Sequence, residues 1–209
     1  MKNKKYLLIC ILGGALITFT ANAQANYQLG RDYGSLSKPL PIKQDGVVDV
    51  IEIFWYGCGH CFNLAPVVSK WAKQKDSSVN FKKMPVTWGP VHQLHAKLFY
   101  TIEALGIGET AHSAVFTAIH KEGNFLASDA SIIDFLEKLG MEKSETIKYM
   151  NSFSVRQKVK RAIEITKQFK VTATPMMFVD GQYRVEAKGG SSKMLKVVDY
   201  VIKMQKPIS

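Results

Sequence analysis

The arrangement of apolar and polar residues in the first part of the chain predicts two strands with a helix between them. Residues 47–56 are mainly β-branched and aromatic, and a nearly continuous apolar run of this length is typical of a buried central strand. Gly57 ends the run, and residues 62–72 then carry apolar side chains at helical spacing. A second strand is predicted over residues 79–84, which completes a β-α-β unit.

The middle of the chain has helical spacing almost throughout and almost no strand pattern. Glycines divide it into five predicted helices, at residues 92–105, 109–121, 129–139, 143–150 and 154–169. Asp129 and Ser144 are predicted to be the N-caps of two of these helices. We therefore expect an all-helical insertion over about residues 90–170.

Strand character returns after the helical block. Residues 176–179 are apolar, and an Asp-Gly pair then turns the chain into a second strand over residues 182–186, which predicts a hairpin. A final helix, capped by Ser191, is predicted to run to about residue 202. The predicted fold class is therefore α/β, with the helical insertion between the first β-α-β unit and the C-terminal hairpin and helix.

The N-terminal residues are typical of a secretory signal peptide. Three lysines precede an apolar run over residues 6–19, and small residues follow it. We predict a signal peptide over residues 1–23, cleaved after Ala23 or Ala25, and a single mature domain over residues 24–209. A membrane anchor is the alternative, but the run is shorter than the roughly 20 apolar residues that a spanning helix needs.

Cysteine usage narrows the chemistry. The chain has three cysteines, and Cys10 lies inside the apolar run of the predicted signal peptide. Bacterial lipid anchoring prefers small residues before the cysteine, whereas Leu8 and Ile9 precede this one. Cys10 is therefore expected to leave with the signal peptide, so that Cys58 and Cys61 are the cysteines of the mature chain.

Charge adds little to this picture. The formal net charge is +11, but the lysines and arginines are dispersed among apolar positions. Such spacing is typical of solvated faces and not of a nucleic-acid-binding stripe. No nucleic-acid partner is expected.

The pair Cys58 and Cys61 is predicted to carry out thiol–disulfide exchange. Cys58 follows a buried strand and a glycine, so it falls at the N-terminus of the next helix, where free N–H groups and the positive helix end lower a thiol pKa. Cys58 is therefore the expected nucleophile, and the more buried Cys61 the expected resolving thiol. His60, between them, is predicted to favour the thiolate further and to make the disulfide a better oxidant.

Two other uses of the cysteines are less favoured. A structural zinc site needs four ligands, and His92 and His95 stand at a spacing from Cys61 that matches no ordinary zinc finger. A purely structural disulfide between residues three apart would restrain little chain entropy. His112 and His120 are interpreted as ordinary helix residues, and no metal or cofactor is expected.

Glu52 and Thr174-Pro175 are further candidates for the site. Glu52 lies in the apolar strand, where a carboxylate costs free energy unless it is paired or protonated. We expect it to point inward beneath the cysteines and to relay protons to Cys61, although an outward orientation would make it an ordinary strand charge. Pro175 precedes a buried strand, and from these residues alone an ordinary trans turn is favoured.

Taken together, these residues resemble the thioredoxin superfamily and, more closely, the periplasmic DsbA family of thiol:disulfide interchange proteins. The resemblance rests on the strand 50–54, the Cys58-Gly59-His60-Cys61 motif, Thr174-Pro175, the hairpin after it and the helical insertion, which plain thioredoxin lacks. It implies a thioredoxin-like fold, a cis Pro175 whose loop exposes the backbone of Thr174 to substrate, and a buried Glu52. It also implies the oxidation of reduced, unfolded exported proteins, and reoxidation by a membrane oxidase of the DsbB type that passes electrons to quinone.

Two departures from the family pattern leave the balance of activities open. Gly59 stands where DsbA proteins commonly have proline, and both Gly59 and Thr174 are also found in protein disulfide isomerases. We expect a dithiol oxidase less extreme than the strongest DsbA, and the alternative is an isomerase or reductase kept reduced in the periplasm. Such proteins usually dimerise, and the segment before the first strand is too short for a dimer module, so a monomeric oxidase is favoured.

Two further matters stay open at the level of sequence. A non-enzymatic binding module on the same fold is a third hypothesis for the function. Met176, Met177 and Trp88 either line a substrate groove or fill the core, where Met and Trp more often lie.

Overall fold

A computed structural model describes residues 26–41 and 45–205 of the chain. The predictions for the signal peptide and for Cys10 concern residues outside this part. Five strands are described, β1 Gly34–Ser35, β2 Val48–Phe54, β3 Val79–Pro85, β4 Met176–Val179 and β5 Tyr183–Glu186. Seven helices are described, α1 Gly59–Lys73, α2 Pro90–Ala104, α3 Gly108–His120, α4 Asp129–Lys138, α5 Lys143–Met150, α6 Phe153–Gln168 and α7 Ser191–Gln205. In the described residues, no helix has the length and hydropathy needed to cross a bilayer.

The strands form one mixed sheet in the order β1-β5-β4-β2-β3. Strand β2 pairs in parallel with β3 and antiparallel with β4, so both of its edges are hydrogen-bonded. Its two faces contribute to two different hydrophobic clusters, which explains why its sequence is nearly continuously apolar. The predicted central strand and the predicted α/β class are confirmed.

Alternation along β4 shows how the helices cover the two faces of the sheet. Met177 and Val179 pack in a cluster with α1 and α7, whereas Met176 and Phe178 pack on the other face with helices of the insertion. Successive side chains of a strand point to opposite faces, so four consecutive apolar residues are needed to bury both. Helices α2–α6 stand between β3 and β4 in the chain, as the predicted helical insertion requires.

The hairpin between β4 and β5 has the turn that its sequence predicts. Asp180 and Gly181 have φ angles of +52° and +61°, left-handed conformations at the centre of a tight turn in which the N–H of Gln182 donates to the Val179 carbonyl at 3.0 Å. A Cβ atom on Gly181 would lie 2.8 Å from Leu40, so glycine is also required by the chain packed against the turn. Strand β1, which pairs with β5, was not predicted, because two residues carry no periodicity.

Both predicted N-caps in the insertion were wrong by one or two residues. Helix α4 is capped by Ser128, whose hydroxyl accepts the backbone N–H of Ser131 at 3.1 Å while the Ser131 hydroxyl accepts the N–H of Ser128. This reciprocal arrangement satisfies two N–H groups, so Asp129 becomes the first helical residue. Helix α5 is capped by Glu142, whose carboxylate accepts an N–H of the first turn at 3.0 Å, in place of Ser144.

Candidate active site

Cys58 is the N-cap of α1, where a strand, a tight turn and a helix meet. Its N–H donates to the Trp55 carbonyl at 3.0 Å, and its extended backbone directs the sulfur back over the first turn of the helix. The Cys58 Sγ accepts the backbone N–H of Cys61 at 3.4 Å. The structure therefore places the sulfur where free helix N–H groups stabilise negative charge, as the sequence predicts.

The surroundings of Cys58 hold its pKa at about 5, below the ordinary value of 9.0. The largest cause is a hydrogen bond with the side chain of Cys61, followed by contacts with Thr174 and the backbone N–H groups of Cys61 and His60, while partial burial opposes them. The thiolate of Cys58 therefore predominates at any pH well above 5. A thiolate that is both stable and half exposed is a reactive one.

Cys61 has the opposite electrostatic setting. Its side chain is 1% exposed. Its hydrogen bond with Cys58 and its burial raise the pKa of its thiol far above the ordinary range. In the reduced pair, the Cys61 thiol therefore keeps its proton and donates a hydrogen bond to the Cys58 sulfur. The Cys58 thiolate can therefore act as a nucleophile, whereas the protonated Cys61 thiol cannot do so until it loses its proton.

His60 meets Cys58 through its backbone. Its N–H is one of the groups that lower the Cys58 pKa, and its imidazole is exposed. The side chain lines a cleft beside the redox pair, together with Asn63 and Thr174. Glu186 and Lys188 also line this cleft, so charged side chains lie there beside apolar residues such as Pro175 and Ala187.

The Thr174–Pro175 peptide bond is cis, as the family resemblance implied. The trans turn favoured from these residues alone is therefore wrong, because local sequence does not report the tertiary contacts that hold a cis bond. Thr174 faces the redox pair, with its carbonyl oxygen 3.6 Å from the Cys58 Sγ. The structure thus brings Cys58, Cys61, Thr174 and Pro175 together.

The two methionines that follow the cis-proline are core residues. Met176 and Met177 are almost completely buried, on opposite faces of the sheet. Trp88 instead lies at the surface, 44% exposed, and its indole N–H donates to the Val171 carbonyl at 2.7 Å. The groove hypothesis is therefore wrong for the methionines and stays open for Trp88.

Glu52 points into the protein and is 2% exposed, which confirms the predicted inward orientation. Its Oε2 has no hydrogen-bond partner among the described residues. Burial raises the pKa of this carboxyl from 4.5 to about 7, an effect that Lys83 reduces and Glu109 increases. Lys83 is the residue opposite Glu52 in the parallel β2–β3 register and is ion-paired with Glu109. No hydrogen bond from Glu52 to either cysteine is present among the described contacts, so a proton relay remains a prediction.

The ionisation of Glu52 should make the oxidised protein less stable as pH rises. The folded pKa of about 7 exceeds the ordinary 4.5, so the fold disfavours the charged form, and stability is lost between these two values as the pH increases. At about 1.4 kcal/mol per tenfold change in acidity, the loss amounts to about 3 kcal/mol. We expect Glu52→Gln to gain stability relative to wild type by about this amount between about pH 5 and about pH 8.

Denaturant unfolding of both proteins in the oxidised form, across this pH range, measures the difference, since the disulfide removes the cysteine titrations. Glu137→Gln, a change at an exposed glutamate of α4, is the matched control and should give a curve parallel to wild type. Parallel curves for Glu52→Gln and wild type would show that folding does not raise the pKa of Glu52, and would contradict this prediction.

Two histidines of the insertion hold the residues just before the motif, a role that the sequence did not reveal. The Trp55 indole donates to His95 Nδ1 at 3.1 Å, and His95 Nε2 bonds with the Phe125 carbonyl at 3.0 Å. The hydroxyl of Tyr56 bonds with His112 Nδ1 at 2.9 Å, and burial lowers the pKa of His112 to about 3. His112 is therefore neutral at ordinary pH and serves as a hydrogen-bonding partner.

The zinc alternative finds no support in the positions of the histidines. The His92 ring packs against the Trp55 ring at a tilt of 35°, with the ring centroids 4.4 Å apart, and the Trp55 indole donates to His95. Within the part of the chain that the structure describes, no three side chains from His, Cys, Asp and Glu are grouped as metal ligands would be.

Comparison with known proteins gives consistent similarities. The family model of the DSBA-like thioredoxin domain matches residues 49–201. The thiol:disulfide interchange protein DsbA of Pseudomonas aeruginosa is 33% identical over 205 residues, covering 97% of each chain. DsbA of Azotobacter vinelandii is 33% identical over 210 residues, covering 97% of this chain and 98% of its own. The crystal structure of Pseudomonas aeruginosa DsbA superposes with a TM-score of 0.81 at 35% identity, over 86% of this chain and 94% of that one.

Proposed function

This chain belongs to the DSBA-like thioredoxin domain family and is a thiol:disulfide oxidoreductase that introduces disulfide bonds, and from that premise we propose that Cys58 is its reactive sulfur. The observation that carries the proposal is the contact of the Cys58 Sγ with the first turn of α1 and with Thr174. Family membership sets aside the non-enzymatic binding module, since relatives over nearly the whole chain are interchange enzymes.

The proposed reaction passes through a mixed disulfide on Cys58. A substrate thiolate attacks the Cys58 sulfur of the Cys58–Cys61 disulfide, and Cys61 leaves as a thiolate that takes up a proton. A second substrate thiolate then attacks the substrate sulfur of the mixed disulfide and releases Cys58 as a thiolate. Two electrons pass to the enzyme and the substrate gains a disulfide. A Cys58 pKa of about 5 makes this sulfur a good leaving group and favours the reduced enzyme, so its disulfide is oxidising.

Three neighbours are proposed to assist. Glu52, with a pKa of about 7, can accept and return the Cys61 proton near neutral pH. Its burial in β2, the strand that leads into the redox motif, supports that role. The His60 imidazole, exposed beside the pair, would favour the thiolate electrostatically. The backbone of Thr174, next to the cis Pro175, is proposed to pair with an extended substrate.

The cellular setting is proposed from the sequence and the family. Residues 1–23 form a signal peptide, cleaved after Ala23 or Ala25, and the mature domain over residues 24–209 acts in the periplasm. Its substrates are reduced, unfolded exported proteins. A membrane oxidase of the DsbB type returns the electrons to quinone, and the enzyme works as a monomer without a cofactor.

The redox state of the protein in the cell separates an oxidase from the alternative isomerase or reductase. An oxidase must be kept as the disulfide, because only that form accepts electrons from substrates. Acid quenching of cells that express the full chain, followed by thiol alkylation and gel separation, measures the two forms. We expect the disulfide form of the mature protein to predominate. A mainly reduced pool in cells that contain the reoxidation system would instead identify an isomerase or reductase.

A further inference from the structure

His120, the last residue of α3, makes two contacts with the segment that carries the redox motif. Its Nε2 lies 2.8 Å from the Tyr56 carbonyl oxygen. A carbonyl oxygen can only accept, so Nε2 carries the proton and donates it. The imidazole ring also stacks on the Phe62 ring, with the centroids 4.9 Å apart and the planes 10° from parallel. One side chain from the helical insertion therefore contacts the thioredoxin-like part at two points.

These two points lie on either side of the cysteines. Tyr56 stands two residues before Cys58, inside the turn that the N–H of Cys58 closes on the Trp55 carbonyl. Phe62 follows Cys61 directly, and its N–H donates to the Cys58 carbonyl at 3.0 Å, as one of the first hydrogen bonds of α1. His120 thus holds both the turn that leads into the motif and the first turn of the helix that leads out of it.

The angle between this turn and α1 determines the distance and direction of the helix N–H groups relative to the Cys58 sulfur. The distance from the Cys61 backbone nitrogen to the Cys58 Sγ is 3.4 Å, so a small rotation of the turn against the helix would lengthen this bond. Hydrogen bonds weaken steeply as their geometry departs from the optimum. Any residue that fixes this angle therefore acts on the thiolate without touching it.

We propose that His120 is a positioning residue that fixes the turn at Tyr56 against the first turn of α1, and thereby keeps the Cys58 thiolate within reach of its hydrogen-bond donors. This inference rests on the proposed role of Cys58 as the reactive sulfur. His112 has a different part, because it bonds with the Tyr56 hydroxyl and not with the backbone. His120 is the one of the two that holds the main chain next to the motif.

Two variants separate the two contacts of His120. His120→Phe keeps a flat ring that can stack on Phe62 but removes the donor to the Tyr56 carbonyl. His120→Gln keeps an N–H donor and removes the ring. Thr101→Val is the matched control, because it removes the hydroxyl of a buried residue of α2 that donates to the Lys97 carbonyl at 2.7 Å. This variant shows what the loss of one hydrogen bond elsewhere in the insertion does to the same measurements.

The measurements are the pKa of Cys58, from the pH dependence of thiolate absorbance, and the unfolding free energies of the reduced and the oxidised protein. We expect His120→Phe to raise the pKa of Cys58 and to destabilise the reduced form more than the oxidised form. The equilibrium with glutathione should then shift toward the enzyme disulfide by roughly two- to tenfold, the range for one hydrogen bond. His120→Gln should shift both in the same direction by less, and Thr101→Val should leave the pKa unchanged and weaken both forms equally.

A merely structural His120 would give equal losses in the two redox forms and a wild-type Cys58 pKa in both variants, and this result would overturn the inference alone. If His120→Phe does not fold, His120→Gln carries the test, since without the stack on Phe62 it must still raise the pKa. A wild-type protein without an acidic Cys58 would overturn the proposed function and this inference together.

Discussion

Replacing Cys58 with serine reduces the oxidation of a reduced substrate protein to the uncatalysed rate. Serine keeps the size of the side chain and its ability to accept the Cys61 N–H, but it cannot form a disulfide. No described thiol can take over, because Cys61 is 1% exposed and its pKa lies far above the ordinary range. The rate of disulfide formation in a reduced, unfolded substrate, measured with oxidised glutathione as the electron acceptor, tests this.

The control for this variant is its fold. Cys58→Ser should still unfold in a single cooperative thermal transition, because the N-cap position accepts serine readily. It should be less stable than the reduced wild type, because it lacks the stabilised Cys58 thiolate. Retention of a substantial fraction of the wild-type rate in a folded Cys58→Ser protein would contradict the assignment of Cys58 as the reactive sulfur.

Replacing Cys61 has a different consequence, the accumulation of covalent complexes. Without Cys61 the enzyme cannot form its own disulfide, so the Cys58 thiolate instead attacks a disulfide of an exported protein and forms a mixed disulfide, with the other substrate sulfur leaving as a thiolate. Attack by Cys61, the one release step that comes from within the enzyme, is then absent. We expect most of the Cys61→Ala protein in exporting cells to migrate as complexes on non-reducing gels, and to return to a single band on reduction. A Cys58→Ser, Cys61→Ala double variant is the control and should form none.

A comparison of two replacements at this position isolates the part of Cys61 in acidifying Cys58. The side-chain hydrogen bond from Cys61 is the largest cause of the low Cys58 pKa. Cys61→Ser keeps a hydroxyl donor, whereas Cys61→Ala removes the donor and leaves the backbone N–H. The pKa of Cys58 should therefore rise more in the alanine variant than in the serine variant. Equal values in the two variants would show that the backbone and Thr174 alone stabilise the thiolate.

The sequence predicts those parts of the site that depend on local chain geometry. Cys58 was placed correctly at the start of α1, because a buried strand followed by glycine and an apolar helical pattern leaves little choice for where the helix begins. The buried position of Glu52 was also predicted correctly, because its neighbours in the strand are apolar and helices cover both faces of a central strand in an α/β sheet. Both predictions needed only the order of residues along one short segment.

Parts of the site that depend on tertiary contacts were beyond sequence reasoning. Lys83 and His120 reach the region of the redox pair only because β3 lies beside β2 and α3 packs against α1. The cis bond at Pro175 was expected from the family resemblance and not from the residues themselves. The N-caps Ser128 and Glu142 were missed because several polar residues adjoin each helix start, and the side-chain geometry decides among them.

The residue at Gly59 is the main reason to expect a moderated oxidant. Gly59 is exposed, it is the first residue of α1, and no heavy atom lies within 4 Å of an added Cβ. Packing therefore does not dictate glycine here, and proline is well tolerated at the first helical position. We therefore expect glycine in place of the proline usual in the family to change the redox equilibrium and not the folding of the protein.

Equilibration of the purified protein with defined ratios of reduced and oxidised glutathione tests most directly whether the Cys58–Cys61 pair is an oxidant. A stabilised Cys58 thiolate favours the reduced enzyme, and the fraction of disulfide at each ratio measures how strongly. We predict a potential well above that of thioredoxin, about −270 mV, and below that of the strongest DsbA, about −120 mV. A potential near that of thioredoxin would contradict the oxidising role derived from the site.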